Sequence, residues 1–131
     1  MATKSASFTC KSEQRQCSVT APRVSVVMGA YNGERFLRPA IESILNQTFR
    51  EFELIVIDDC STDSTLQILR EFKDDRMRVV RNERNLGIAE TLNRGIAIAR
   101  GEYIALQDHD DVSMPARLEV QVAFQIGRAH V

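Results

Sequence analysis

Apolar residues along this chain fall into short continuous runs separated by longer stretches in which they recur at helical spacing. Arg23-Val24-Ser25-Val26-Val27-Met28, bounded by Pro22 and Gly29, is β-branched and predicts a buried first strand. Phe52 to Ile57 is nearly continuously apolar, as a strand covered on both faces should be, and Met77 to Val80 and Tyr103 to Leu106 predict two more. Between them, Phe36, Leu37, Ala40, Ile41, Ile44 and Leu45 form one helical stripe. Leu66, Ile68, Leu69 and Phe72 form a second stripe, and Ile88, Ala89, Leu92, Ile96 and Ala99 a third. Leu118 and Val122, with Val120, suggest a last helix begun near Pro115. Punctuation agrees: Asn32 is placed to cap the first helix, Ser61 or Thr62 the second with Asp63 in its first turn, and Gly101 to follow the third at C′. Gly95, inside the third stripe, suggests a close approach of helix to sheet.

Strands alternating with helical segments imply right-handed crossovers and a mainly parallel sheet, hence an α/β, Rossmann-like fold with flanking helices. All strands of such a sheet point the same way. The turn Ala30-Tyr31-Asn32, the pair Asp58-Asp59, the loop Asn82 to Asn85 and the run Asp108 to Asp111 therefore gather along one rim, where open α/β sheets bind ligands. Asp108, Asp110 and Asp111 are the sharpest feature there. Carboxylates this close repel one another unless water, hydrogen bonds or a cation intervenes, so they either face solvent or hold a divalent ion.

Composition narrows the picture. With 131 residues, 44% hydrophobic and 27% charged, the chain can build one globular core. A net charge of −1 without a basic block argues against nucleic acid, and no apolar run approaches the ~20 residues of a membrane span. Residues 1–22 are polar and are expected to be a flexible leader, with neither a secretory nor a mitochondrial pattern, so a cytoplasmic location is the default. The cysteines, Cys10, Cys17 and Cys60, lack metal-ligand spacing and are expected to be free thiols. No glycine-rich dinucleotide fingerprint follows the first strand, which argues against NAD.

Taken in order, Val24 to Asn32, Asp58-Asp59-Cys60-Ser61-Thr62-Asp63, Asn85-Leu86-Gly87, Asn93-Arg94-Gly95, Gly101 to Leu106 and Asp108-His109-Asp110-Asp111 resemble the motifs of family 2 glycosyltransferases. The resemblance covers about Val24 to Gln125. It implies a GT-A fold and an inverting, metal-dependent transfer of sugar from a UDP-, GDP- or dTDP-sugar to a saccharide or lipid-linked acceptor, as in cell wall or polysaccharide biosynthesis. By it, Gly29, Ala30, Tyr31 and Asn32 would bind the nucleotide, Tyr31 lying against the base. Asp59 would accept a hydrogen bond from the base with Asp58 beside it, while Asn85 and Gly87 would shape or touch the donor site. Asp108-His109-Asp110 is similar to the DxD motif. Asp110 would contact ribose or metal, and Asp108 or Asp111 would complete the coordination of Mg²⁺ or Mn²⁺; His109 is expected to be a bystander.

The chain departs from the family pattern at Gly29-Ala30, where Pro and Thr or Ser are usual, and at Cys60, where Gly is frequent. The resemblance places the catalytic base beyond the acidic run, so no catalytic residue is assigned. The chain is expected to be the nucleotide-binding half, residues 23–125, of a longer enzyme. Residues 126–131 look like a reading frame of a sequencing adapter, a tail foreign to the domain. On that view the last strand lies at an exposed edge and the protein is prone to aggregate. Other readings are a non-catalytic nucleotide-binding fragment and a Mg²⁺-dependent receiver domain, the latter lacking its late lysine. A cytoplasmic protein, peripheral at the inner face of a membrane, fits such acceptors.

Overall fold

The computed structural model describes residues 22–129. The expected leader lies outside the described residues apart from Pro22, as do Cys10, Cys17 and the last two positions of the expected tail. Strands β1 (Val24–Ala30), β2 (Phe52–Asp58), β3 (Met77–Arg81) and β4 (Tyr103–Asp108) alternate with helices α1 (Leu37–Leu45), α2 (Thr65–Glu71), α3 (Ile88–Ile98) and α4 (Arg117–Ala129). The strands form one four-stranded sheet in the order β3-β2-β1-β4. Every pairing is parallel, and the register sets Ala30 beside Asp58, Asp58 beside Arg81 and Gly29 beside Asp108. The polar strand ends are thereby level with one another.

Both central strands are buried along their whole length, which explains their unbroken apolar character. Alternate residues still separate by face. Val24, Val26, Met28, Leu54 and Val56 pack with Leu37, Ile41 and Ile44 of α1, Leu69 of α2 and Leu118 of α4. Ile55 and Ile57 face the other way, toward Ala99. There α3 comes so close to the sheet that a Cβ on Gly95 would lie 2.5 Å from Val27 Cγ1, the contact its glycine suggested.

Three local expectations are corrected. Asn32 does not cap α1: it sits at φ 49°, and the helix begins beyond Phe36 with no side-chain cap. Neither Ser61 nor Thr62 caps α2, which starts at Thr65; both are taken up by the Asn32 turn, and the Asp63 carboxylate instead accepts from the Thr65 amide at 2.9 Å and hydroxyl at 2.5 Å. Burial alone would push the Asp63 carboxyl up, but hydrogen bonds led by the Thr65 hydroxyl and amide bring it below its ordinary value. Gly101 is not a left-handed helix stop, since Ala99 is already extended. Its role is close approach: a Cβ there would meet Ser25 N at 2.6 Å, and its own N–H donates to Ser25 Oγ at 2.7 Å.

That contact belongs to a polar knot at the amino-terminal end of the sheet. Glu53, 2% exposed, accepts from Ser25 Oγ (2.5 Å), Arg100 N (2.7 Å) and Arg100 Nε (3.2 Å), with Arg78 Nη2 at 3.5 Å. On the far side of the sheet β4 is an edge strand, as expected. Leu106 is half exposed, and with Tyr103, Ile104, Val120 and Phe124 it lines an open groove of about 800 Å³.

Candidate functional site

The carboxyl ends of the strands are built outward from β2. Asp58 is fully buried and takes hydrogen bonds from Ser61 Oγ (2.5 Å) and Ser61 N (3.3 Å), with Arg81 Nε 3.5 Å away. Ser61 Oγ in turn accepts from Asn32 N (2.9 Å), and Asn32 Oδ1 accepts from Thr62 N (2.8 Å). Asn32 and Asp58 thus tie the β1 and β2 turns together. Left-handed backbone at Asn32 (φ 49°) and Cys60 (φ 63°) lets these turns fold over each other; asparagine tolerates that region better than cysteine does.

Asp59 is oriented differently. Its N–H donates to Ala30 O (2.8 Å), and its buried carboxylate accepts from Asn82 Nδ2 (2.8 Å), Leu86 N (2.8 Å) and Gly87 N (3.0 Å). Gly87, at φ 90°, allows successive amides to point at one carboxylate. Burial by itself pushes the Asp59 carboxyl up; the hydrogen bonds from Leu86, Asn82, Gly87 and Thr91 outweigh it, so the group sits below its ordinary 3.8. It is ionised at neutral pH.

Beside Asp59 opens a cavity of about 370 Å³, lined by Gly29, Ala30, Tyr31, Asp59, Asn85, Gly87, Ile88, Thr91 and His109. Tyr31, 44% exposed, forms part of its wall. His109 is half-buried; its Nδ1 lies 3.3 Å from Gly29 O, and its ring packs so closely on Gly33 that a Cβ there would clash with it. It therefore pins the end of β4 to the turn after β1.

On either side of His109 stand the acids. Asp108, Asp110 and Asp111 are exposed, and one oxygen from each comes within 4.8 Å of the others. Among the described residues no side-chain hydrogen bond or ion pair reaches these carboxylates. A set of hard oxygen donors at this spacing fits Mg²⁺ or Mn²⁺.

The loop that carries them is held by buried amides. Gln107, 5% exposed, donates through Nε2 to Asp111 O (2.6 Å), and its Oε1 accepts from Ser113 Oγ (2.7 Å) and Arg117 Nη1. Arg117 also donates to Ser113 Oγ (3.1 Å) and Leu106 O (2.8 Å); burial lowers its pKa, and the nearby charge of Asp111 opposes that shift. From the other side Gln47, 1% exposed, donates to Met114 O (2.7 Å) and accepts from Leu118 N (2.9 Å).

Of the residues singled out in the sequence, Gly29, Ala30, Tyr31, Asp59, Asn85 and Gly87 meet on the cavity wall, and Asp108, Asp110 and Asp111 gather next to it. Asn32 and Asp58 do not line the cavity; their polar atoms are spent on the turns. Ile88, Thr91 and His109 line it unforeseen. Thr91 had a legible signal, since it lies one helical turn after Gly87, whose carbonyl accepts its N–H at 3.1 Å. Asn82, read only as a turn residue, bridges Asp59 and Thr91.

Comparison with known proteins follows the same residues. A family model described as Glycosyl transferase family 2 matches residues 25–130. EpsE of Bacillus subtilis, which carries a glycosyltransferase name, is 49% identical over 108 residues, covering 80% of this chain and 39% of EpsE. WfgD of Escherichia coli, named UDP-Glc:alpha-D-GlcNAc-diphosphoundecaprenol beta-1,3-glucosyltransferase, is 37% identical over 103 residues, 79% of this chain and 41% of WfgD. A crystal structure of S. aureus TarS 1-349 in complex with UDP-GlcNAc superposes with a TM-score of 0.74 at 34% identity, over 78% of this chain and 30% of that one. The chain thus spans about two fifths of the length of these curated relatives.

Proposed function

Since the chain belongs to glycosyl transferase family 2 and shares the GT-A fold of its structural neighbours, we propose that it forms the donor-binding part of an inverting, metal-dependent glycosyltransferase. The observation that carries this reading is the cavity beside Asp59 lying next to a trio of carboxylates that no side-chain hydrogen bond or ion pair reaches among the described residues. A nucleotide-diphosphate-sugar has parts for both. Its base enters the cavity between Tyr31 and Ile88, with Ala30 offering backbone and Asp59 an ionised carboxylate on the wall. Asn85 and Gly87 close the wall, and Gly87 keeps the backbone near the ligand. Asp108, Asp110 and Asp111 hold Mg²⁺ or Mn²⁺, which when bound neutralises charge on the departing diphosphate. Relatives named for UDP-glucose or solved with UDP-GlcNAc support a UDP-sugar as donor, and the former supports a lipid-linked acceptor in cell wall or polysaccharide synthesis.

No helix of the described residues is long and apolar enough to cross a membrane, and a peripheral position at the inner face suits such an acceptor. The base that takes the acceptor proton is expected from sequence outside the acidic run. Isothermal titration with UDP in the presence and absence of Mn²⁺ tests the reading. Micromolar to millimolar binding that needs the metal is expected; folded protein that binds neither UDP nor Mn²⁺ would overturn it. Binding of UDP without turnover of any UDP-sugar would favour a non-catalytic nucleotide-binding fragment.

A further inference from the structure

We propose that Gln107 is a positioning residue for the acidic trio, a buried amide that folds the loop into a metal-ready shape before any ion arrives. The inference rests on the metal-binding reading of Asp108, Asp110 and Asp111. Like charges within 4.8 Å of one another favour a splayed loop, so something must hold them together in the metal-free protein. The turn itself supplies only the Asp111 N–H to Asp108 O bond, at 3.2 Å.

Alongside the Ser113 N–H bond to Ser43 Oγ at 2.9 Å and the Arg117 bond to Leu106 O at 2.8 Å, Gln107 adds to it from a side chain that is 5% exposed. Its Nε2 draws the Asp111 carbonyl inward at 2.6 Å, and its Oε1 gathers Ser113 and Arg117 on the other side. The residue thus spans the loop from the third acid to the first residue of α4. All of its side-chain bonds go to positions 111–117, and none to the sheet that carries it. A carboxamide is the side chain that suits this place, because one end must donate and the other accept. Glutamate would set an acceptor against the Asp111 carbonyl. Leucine would leave that carbonyl without its donor, and the Ser113 hydroxyl and the Arg117 guanidinium would lose an acceptor. Gln47 anchors the following stretch, at Met114 O and Leu118 N, so neutral amides restrain the loop on both sides, and the Arg117 guanidinium adds a positive charge near Asp111.

The test compares wild type, Gln107→Leu, Asp111→Asn and the double variant, measuring Mn²⁺ affinity by the loss of its free-ion electron paramagnetic resonance signal. Melting curves and backbone NMR are recorded on the metal-free proteins. Gln107→Leu is expected to weaken Mn²⁺ binding about 10–100-fold, the range for groups that orient metal ligands. Its metal-free shift changes should be confined to residues 107–118. In the Asp111→Asn background the same change should have much less effect, because the carboxylate being positioned is gone. Undiminished Mn²⁺ affinity in folded Gln107→Leu, or equal effects in both backgrounds, overturns the positioning role while leaving the metal site standing. Wild-type protein that binds no Mn²⁺ overturns the metal reading and this inference with it. If Gln107→Leu does not fold, Ser113→Ala removes one of the same restraints at a half-buried position, and it should weaken Mn²⁺ binding in Asp111-containing protein only.

Discussion

Acidic groups stand at both ends of this sheet, and they are treated in opposite ways. At the amino-terminal end Glu53 is buried and filled by Ser25 and Arg100, with Arg78 close by. At the carboxyl end Asp108, Asp110 and Asp111 are exposed, and among the described residues no side-chain hydrogen bond or ion pair reaches their carboxylates. An acid whose lone pairs are all taken by the fold belongs to the fold, whereas a group of acids left empty at a strand end is free for something outside it. Asp59 stands between these extremes, buried and bonded by Asn82, Leu86 and Gly87 yet on a cavity wall.

The contrast can be broken by substitution. Glu53→Ala should have the largest effect on stability, about 3–4 kcal/mol by urea denaturation, because it leaves the Ser25 hydroxyl and the Arg100 N–H without their acceptor and takes the carboxylate from two half-exposed arginines. Any Mn²⁺ binding by the folded fraction should be untouched. Asp59→Ala should cost about 2–3 kcal/mol, leaving two backbone amides and the Asn82 amide without their acceptor, and should abolish UDP binding as well. Acid has the same target. A carboxyl held below its ordinary value contributes stability that is complete above about pH 4 and is lost as pH falls through its lowered pKa, so a pH series of urea midpoints should fall there less steeply in Asp59→Asn than in wild type.

At the other end the sign reverses. Asp110→Asn should leave the melting temperature unchanged or slightly higher, through relief of like-charge repulsion, while Mn²⁺ affinity falls at least tenfold; a clear loss of stability would mean that the acids are structural after all. The smallest effect is expected at Cys60, where φ 63° burdens a residue with a Cβ. Cys60→Gly should stabilise by up to about 1 kcal/mol in the same denaturation experiment.

Legibility in the sequence follows the range of the forces involved. β1 and β2 could be placed because burial on both faces leaves an unbroken apolar run, and the rim could be placed because parallel strands share a direction. Local capping was misread for a specific reason. Asn32, Ser61 and Thr62 have the chemistry of helix caps, but each found a partner in the turn across from it, some thirty residues away in sequence. Nothing in the residue order distinguishes a saturated Asp58, the last residue of β2, from an Asp59 just beyond it on the cavity wall. His109 and Gln107 were obscured by the acids around them: the histidine's place depends on Gly33 lacking a side chain, and the glutamine's on Arg117 arriving from the next helix. Gly29 and Ala30, a departure from the family pattern, line the cavity as positions with little or no side chain.

The edge position of β4 has a dynamic consequence. Among the described residues, the strand leading to the acids is laddered to β1 alone, whereas β1 and β2 are each flanked on both sides. In hydrogen-exchange terms it belongs to a unit that can open without the rest of the sheet unfolding. Amide protons of residues 104–108 should therefore exchange through a lower free-energy opening than those of β1 and β2. A ligand bridging the acids to the β1 turn would slow exchange in β4 while leaving β3 unchanged, so occupancy of the rim could be read from the kinetics of one strand.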